Sequence, residues 1–220
     1  MKINWKATVI TGAAAVAVVA GAVIYALVDQ NNTRVAAEER GGGSIAVVRE
    51  DSHLLDDAGD DAITIVEFLD FECEACGAYY PVVEELRVKY EGQINYVVRY
   101  FPLPGHINSE NSAVAAEAAA RQGRFEEMYK RLFETQAQWG ESQQSQAELF
   151  RSYATELGLD MAAYDEAVAD PTTLERVRSD LDDGRALGVD RTPTFFVDGE
   201  PFWGHDRLEQ IDRWLDSGGW

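Results

Sequence analysis

The stretch Ile63-Thr64-Ile65-Val66-Glu67-Phe68-Leu69 is followed, after three further residues, by Cys73-Glu74-Ala75-Cys76. A β-branched, almost unbroken apolar run reads as a central strand covered on both faces, and Glu67 is its one charge. Beyond it, Tyr80, Val83, Leu86 and Tyr90 recur at helical spacings, which predicts a helix from Cys73 to about Tyr90 with a kink at Pro81. A second strand is predicted from Ile94 to Phe101. Strand, helix and strand in this order predict a parallel pair joined by a right-handed crossover, the kernel of an α/β domain.

The chain has only two cysteines, so no disulfide framework holds it together and one chain cannot build a four-thiolate zinc site. A C-x-x-C pair alone is also half a zinc site; its place between a strand and a helix is what points to redox chemistry. Cys73 should sit at the helix N-terminus with its sulfur exposed, where unpaired N–H groups and the positive end of the helix dipole stabilise a thiolate. Cys76 follows one turn later, positioned to attack a mixed disulfide formed at Cys73. Glu72 and Glu74 flank the nucleophile as exposed carboxylates, opposing its ionisation through a charge that solvent screens.

After Pro102-Leu103-Pro104-Gly105, a helical subdomain is predicted at about 106–188. Phe125, Met128, Tyr129, Leu132 and Phe133 form an apolar stripe, and Ser145 with Glu148 reads as a capping box ahead of Leu149, Phe150, Tyr153 and Leu157. Asp170-Pro171 reads as an N-cap followed by proline at the first helical position, opening a helix lined by Leu174, Val177 and Leu181. Strand returns at Thr194-Phe195-Phe196-Val197, turns at Asp198-Gly199, and continues through Phe202-Trp203 as a hairpin. A last helix carries Leu208, Ile211, Trp214 and Leu215.

From Ala7 to Val28 there is no charged residue, with Lys2 and Lys6 before and Asp29 after. That length spans a bilayer, and the flanking lysines place the N-terminus inside and the body outside the cytoplasm. Residues 1–28 are therefore read as a cytoplasmic N-terminus and uncleaved signal-anchor helix, 29–45 as a flexible extracytoplasmic linker ending in Gly41-Gly42-Gly43-Ser44, and 46–220 as the folded domain. Nineteen basic against thirty-nine acidic residues, a net charge of −20, make nucleic acid a poor partner. The three histidines, His53, His106 and His205, lie away from the cysteines in sequence and are read as exposed or capping groups.

From about Ile63 to Trp214 the sequence resembles the DsbA-like branch of the thioredoxin superfamily. The likeness is carried by Val66-Glu67-Phe68-Leu69-Asp70-Phe71-Glu72-Cys73-Glu74-Ala75-Cys76, by Pro81, by Tyr100-Phe101-Pro102-Leu103, and by Arg191-Thr192-Pro193-Thr194-Phe195-Phe196. It implies a thioredoxin-like α/β fold with an inserted helical subdomain, here preceded by one transmembrane helix. It also implies that Pro193 forms a cis peptide beside the disulfide, that Thr192 offers main-chain hydrogen bonds to a bound peptide, and that Glu67 is a buried acid with a raised pKa that relays the Cys76 proton. The implied substrates are exported protein thiols or disulfides. A membrane partner of DsbB-like or vitamin-K-epoxide-reductase-like type would reset the cysteines, and the redox-active pair Cys73–Cys76 takes the place of a cofactor. One departure is the dipeptide Glu74-Ala75, where the strongest oxidants of the family carry Pro-His, so a less oxidising couple is expected.

Oxidation of exported chains is the first expectation, with a reductase or isomerase on the same scaffold as its nearest rival. The residues alone also allow a peptide-binding chaperone or a carrier of soft metal ions.

Overall fold

A computed structural model describes residues 46–202 and 207–217, without the side chains of 207–210. The membrane helix expected at 7–28, the linker at 29–45, Trp203, His205 and the Leu208 side chain lie outside the described residues. Among those described, no helix is long and apolar enough to cross a membrane.

The sheet has five strands: β1 (His53–Asp56), β2 (Ile63–Leu69), β3 (Ile94–Tyr100), β4 (Thr194–Val197) and β5 (Glu200–Phe202), in the spatial order β1-β3-β2-β4-β5. Helix α1 (Glu74–Lys89) connects β2 to β3, and these two strands pair in parallel, as the strand-helix-strand order predicts. β4 lies antiparallel on the other side of β2, with Phe195 opposite Glu67, and turns into β5 through Asp198 (φ 48°) and Gly199 (φ 84°). Two left-handed residues in succession are what a two-residue hairpin of matching twist requires. Asp198 also accepts the Thr64 N–H at 2.8 Å, tying this turn to the start of β2.

The insertion runs through α2 (Ser109–Ala120), α3 (Phe125–Glu134), α4 (Gln136–Trp139), α5 (Ala147–Glu156), α6 (Met161–Ala169) and α7 (Pro171–Ala186); α8 (Arg207–Asp216) is the last described element. Strand alternation sorts the core into two clusters. Ile65 and Leu69 join Tyr96, Phe195 and the residues of α1 and the insertion in the larger one. Val66 and Phe68 face the opposite way, against Phe101, Leu181 and Phe196. Both faces of β2 are thus covered, which explains its continuous apolar character. Helix α7 approaches closely because residue 184 is glycine: a Cβ there would lie 2.7 Å from the Phe101 ring. Beside it, the fully buried Arg99 of β3 donates to Asp180 of α7 at 2.6 Å and to the carbonyls of Ala46 and Val47, which fastens the start of the domain to the sheet.

Two local expectations change. Strand β1 is an extra edge strand, antiparallel to β3 and irregular between Leu54 and Asp56. The Ser145/Glu148 capping box does not form: α5 begins at Ala147 with Gln146 as N-cap and no side-chain capping bond. The cause is Asn108, whose Oδ1 accepts the Gln146 N–H at 2.7 Å and sets where the helix starts. Helix α1 continues through Pro81, the predicted kink position, to Lys89. The Asp170 cap is present, accepting from the Thr172 N–H at 2.9 Å with Pro171 beginning α7.

Candidate active site

Cys73 is the N-cap of α1, and its N–H donates to the Asp70 carbonyl at 3.1 Å. The expected exposed sulfur is corrected: Cys73 is only 8% exposed, because the Thr192-Pro193 segment lies against it. Its thiol faces the Thr192 carbonyl at 3.7 Å, and the Thr192-Pro193 peptide bond is cis. The thiol pKa falls to about 5, chiefly because the Cys76 S–H bonds the sulfur; the Thr192 hydroxyl and the N–H groups of Cys76 and Ala75 add to this against the opposing effect of burial. Among the described residues, the Thr192 hydroxyl is buried and has no hydrogen-bond partner. A thiolate would supply one. Thr192→Val should therefore raise the Cys73 pKa by about one unit, the worth of one hydrogen bond to a charged group. Thiolate absorbance followed against pH measures this, and an unchanged midpoint would remove the hydroxyl from the account.

Cys76 is 1% exposed, and burial, reinforced by the neighbouring Cys73, pushes its thiol well above the usual range. The two thiols are therefore unlike: one ionises readily and the other holds its proton. Glu67 projects from β2 on the same face as Ile65 and Leu69 and is 2% exposed. Burial raises its pKa to about 7 against the opposing hydrogen bond from Tyr96 Oη at 2.6 Å. Glu67, Cys73, Cys76, Thr192 and Pro193 thus lie on β2, the start of α1 and the approach to β4, elements that meet at one end of the sheet.

Several neighbours carry no local sequence signal. Asp70 is a hub, its buried carboxylate accepting the N–H groups of Glu72 at 2.9 Å and Leu103 at 3.0 Å and bonding His106 Nδ1 at 2.7 Å. That bond lifts the His106 pKa to about 9, with the charges of Asp70, Cys73 and Glu72 adding to it. Gln136 of α4 donates to the carbonyls of Phe71 at 2.7 Å and Cys73 at 2.9 Å, so the insertion grips the cysteine turn directly. Gly77 makes this possible, since a Cβ there would run into the Gln136 amide. Phe71 packs on Phe133, ring centroids 5.1 Å apart, which seats the same turn on α3.

Two charge assignments need correction. Glu72 is not an exposed carboxylate beside the sulfur: it is 2% exposed and accepts the Asn108 N–H at 2.6 Å. His106 is not remote from the cysteines, because Asp70 brings it to the turn that carries them. Glu74 is exposed as expected, and its pKa rises through a shared bond with Glu141. His53 is engaged elsewhere, bonded to Glu117 at 2.8 Å and stacked on Phe125. Among the described residues, no group of three or more His, Cys, Asp or Glu is placed to hold a metal ion.

An ionisable cysteine capping a helix, a protonated partner one turn in, and a cis-proline across from them define the site of a thiol-disulfide oxidoreductase. The chain belongs to the thioredoxin family, whose model (Thioredoxin_4) matches residues 60–217. Its fold is similar to that of a thioredoxin-like oxidoreductase from Silicibacter pomeroyi, with a TM-score of 0.65, 24% identity, and coverage of 80% of this chain and 96% of that one. It is equally similar to alpha-DsbA1 from Wolbachia pipientis, with a TM-score of 0.65, 21% identity, and coverage of 77% and 92%. In sequence it is 34% identical over 174 residues to a protein named Na(+)/H(+) antiporter NhaA 1 from Mycobacterium sp. (strain KMS), across 77% of this chain and 27% of that protein. The chain thus spans about a quarter of the length of the curated relatives it matches.

Proposed function

We propose that this protein oxidises the thiols of exported proteins from the outer face of the membrane, as a domain at 46–220 tethered by residues 29–45 to an anchor at 1–28. The observation that carries the redox reading is the asymmetry of the pair: Cys73 ionises near pH 5 while Cys76 keeps its proton. In the oxidised protein, a substrate thiolate attacks Cys73 Sγ and breaks its bond to Cys76. The Cys76 sulfur leaves with the electron pair and takes a proton from Glu67. A second substrate thiolate then attacks the substrate sulfur of the mixed disulfide, and Cys73 departs as the stabilised thiolate. Two electrons pass from substrate to protein, and a membrane partner of DsbB-like or vitamin-K-epoxide-reductase-like type removes them. The main chain of Thr192 and the face of Pro193 hold the substrate segment beside Cys73. Cation exchange is not part of this reading: the match covers only 27% of the antiporter-named relative, and the reading rests on the thiol pair of this chain.

The deciding experiment gives the oxidised protein a reduced, unfolded protein with a single native disulfide, and separately gives the reduced protein insulin. Disulfide formation should be the faster reaction at neutral pH. Efficient insulin reduction with little thiol oxidation would reverse the direction proposed here.

The location makes its own prediction. Protein expressed at full length should stay with membranes through high-salt and alkaline washing, and its body should be cleaved by protease added outside intact cells. Quantitative recovery of a shortened chain in the medium would show that the apolar stretch is a removed signal.

A further inference from the structure

Tyr96 was not singled out by any motif, yet it is fully buried and donates to Glu67 Oε2 at 2.6 Å. It stands on β3 opposite Ile65 of β2, on the sheet face that carries Glu67 and faces α1. Burial and the Glu67 charge hold its own hydroxyl well above the usual range, so Tyr96 acts as a donor and not as a base. Among the described residues, the charged or titratable groups that act on Glu67 include Cys73 at the N-cap of α1, Cys76 and Glu84 of α1 and Tyr129 of α3, while the Arg87 guanidinium lies 5.9 Å from the Tyr96 ring centroid. β4 presents the apolar Phe195 opposite Glu67.

We propose that Tyr96 is the positioning residue of the proton relay, its hydroxyl holding the Glu67 carboxylate in an ionised, aligned state that can accept the Cys76 proton. The proposal rests on the reading of Glu67 as that relay. When Cys76 attacks the Cys73 sulfur of a mixed disulfide, its proton passes to Glu67, the Cys73–Cys76 bond forms, and the substrate sulfur leaves as a thiolate. The carboxylate must be available as a base for this step and must return the proton in the reverse one. Burial alone favours the protonated acid. The Tyr96 hydroxyl opposes that preference by donating to the carboxylate, and so keeps both directions open.

Tyr96→Phe removes one oxygen and should raise the Glu67 inflection by about one unit, which cuts the base fraction at pH 7 about fivefold. Two readouts on the full-length protein test this. Carbon-13 chemical shifts titrate Glu67 directly, and stopped-flow release of thionitrobenzoate reports the attack of Cys76 on a mixed disulfide at Cys73. Both midpoints should move upward together, with rates converging with wild type at high pH. Placing 3-fluorotyrosine at position 96, a stronger donor of nearly the same shape, should move both midpoints downward and covers the case in which Tyr96→Phe folds poorly. Unmoved midpoints in these proteins, alongside loss of the pH-dependent limb in Glu67→Gln, overturn the role of Tyr96. A wild-type profile in Glu67→Gln instead overturns the relay itself.

Discussion

Cys76→Ala is expected to accumulate covalent adducts with substrate proteins through Cys73, whereas Cys73→Ala accumulates none. The difference should be close to all-or-none, because the two thiols are protonated so differently. With Cys76 gone, Cys73 remains at the helix N-terminus, keeps the N–H groups of Ala75 and residue 76, and still enters mixed disulfides. It loses the S–H donor that contributes most to its low pKa, so adducts form more slowly than in the native protein. Their escape is slowed far more, because an attacking sulfur held one helical turn away is replaced by dilute thiols from solution. In Cys73→Ala the surviving thiol is 1% exposed and stays protonated, which leaves it neither reachable nor nucleophilic. Acid-quenched samples on non-reducing gels, with adducts mapped by mass spectrometry, give the measurement. Equal trapping by the two variants would mean that attack and resolution are not divided between Cys73 and Cys76 as proposed.

The sheet and the cysteine turn were legible because a physical period marks them. β2 is a nearly unbroken apolar run, β3 is rich in β-branched and aromatic residues around Asn95 and Arg99, the Phe125 to Phe133 stripe repeats with the helix, and Asp198-Gly199 meets the backbone demand of a tight hairpin. β1 had no such mark: four residues at a sheet edge, two of them His53 and Asp56, never establish an alternation. The surroundings of the site were less legible, since long-range contacts make them. Asp70 and His106 meet because β2 and β3 are parallel, so the loops after both strands emerge at the same end of the sheet. That rule was available in the sequence for residues 70–72 and 103–108, and it would have moved Glu72 out of solvent and His106 toward the cysteines. Nothing comparable exists for Gln136, which reaches the Phe71 and Cys73 carbonyls from the far side of the insertion. Glu67 was an intermediate case: a lone charge in an apolar strand had to be buried or at an end, the family resemblance favoured the buried acid, and only the β2/β3 register shows that it shares a face with Tyr96.

The redox potential should lie near about −220 mV, between the approximately −270 mV of thioredoxin and the approximately −120 mV of DsbA. A Cys73 pKa of about 5 in place of about 9 stabilises the reduced, ionised protein by about 2.7 kcal/mol at pH 7, whereas a thiol near pH 7, as in thioredoxin, gains only about 0.4 kcal/mol. The difference of about 2.3 kcal/mol corresponds to about 50 mV. Its sign follows from the state that benefits: stabilising the thiolate favours the reduced form, so the disulfide becomes the stronger oxidant. Because the folded pKa is depressed, this contribution to the stability of the reduced protein grows as pH rises from about 5 toward 9 and is lost as pH falls through about 5. The reduction half-reaction should accordingly take up two protons per disulfide below about pH 5 and one above it. Glu74→His should make the couple more oxidising, since it replaces an exposed carboxylate beside the thiolate with a neutral or positive ring, and concentrated salt should erase most of the gain. Equilibration with glutathione across pH, with thiolate absorbance followed in parallel, measures all of these together. A wild-type potential at or below that of thioredoxin would assign the pair to reduction, because a thiolate this stable could not then be what sets the couple.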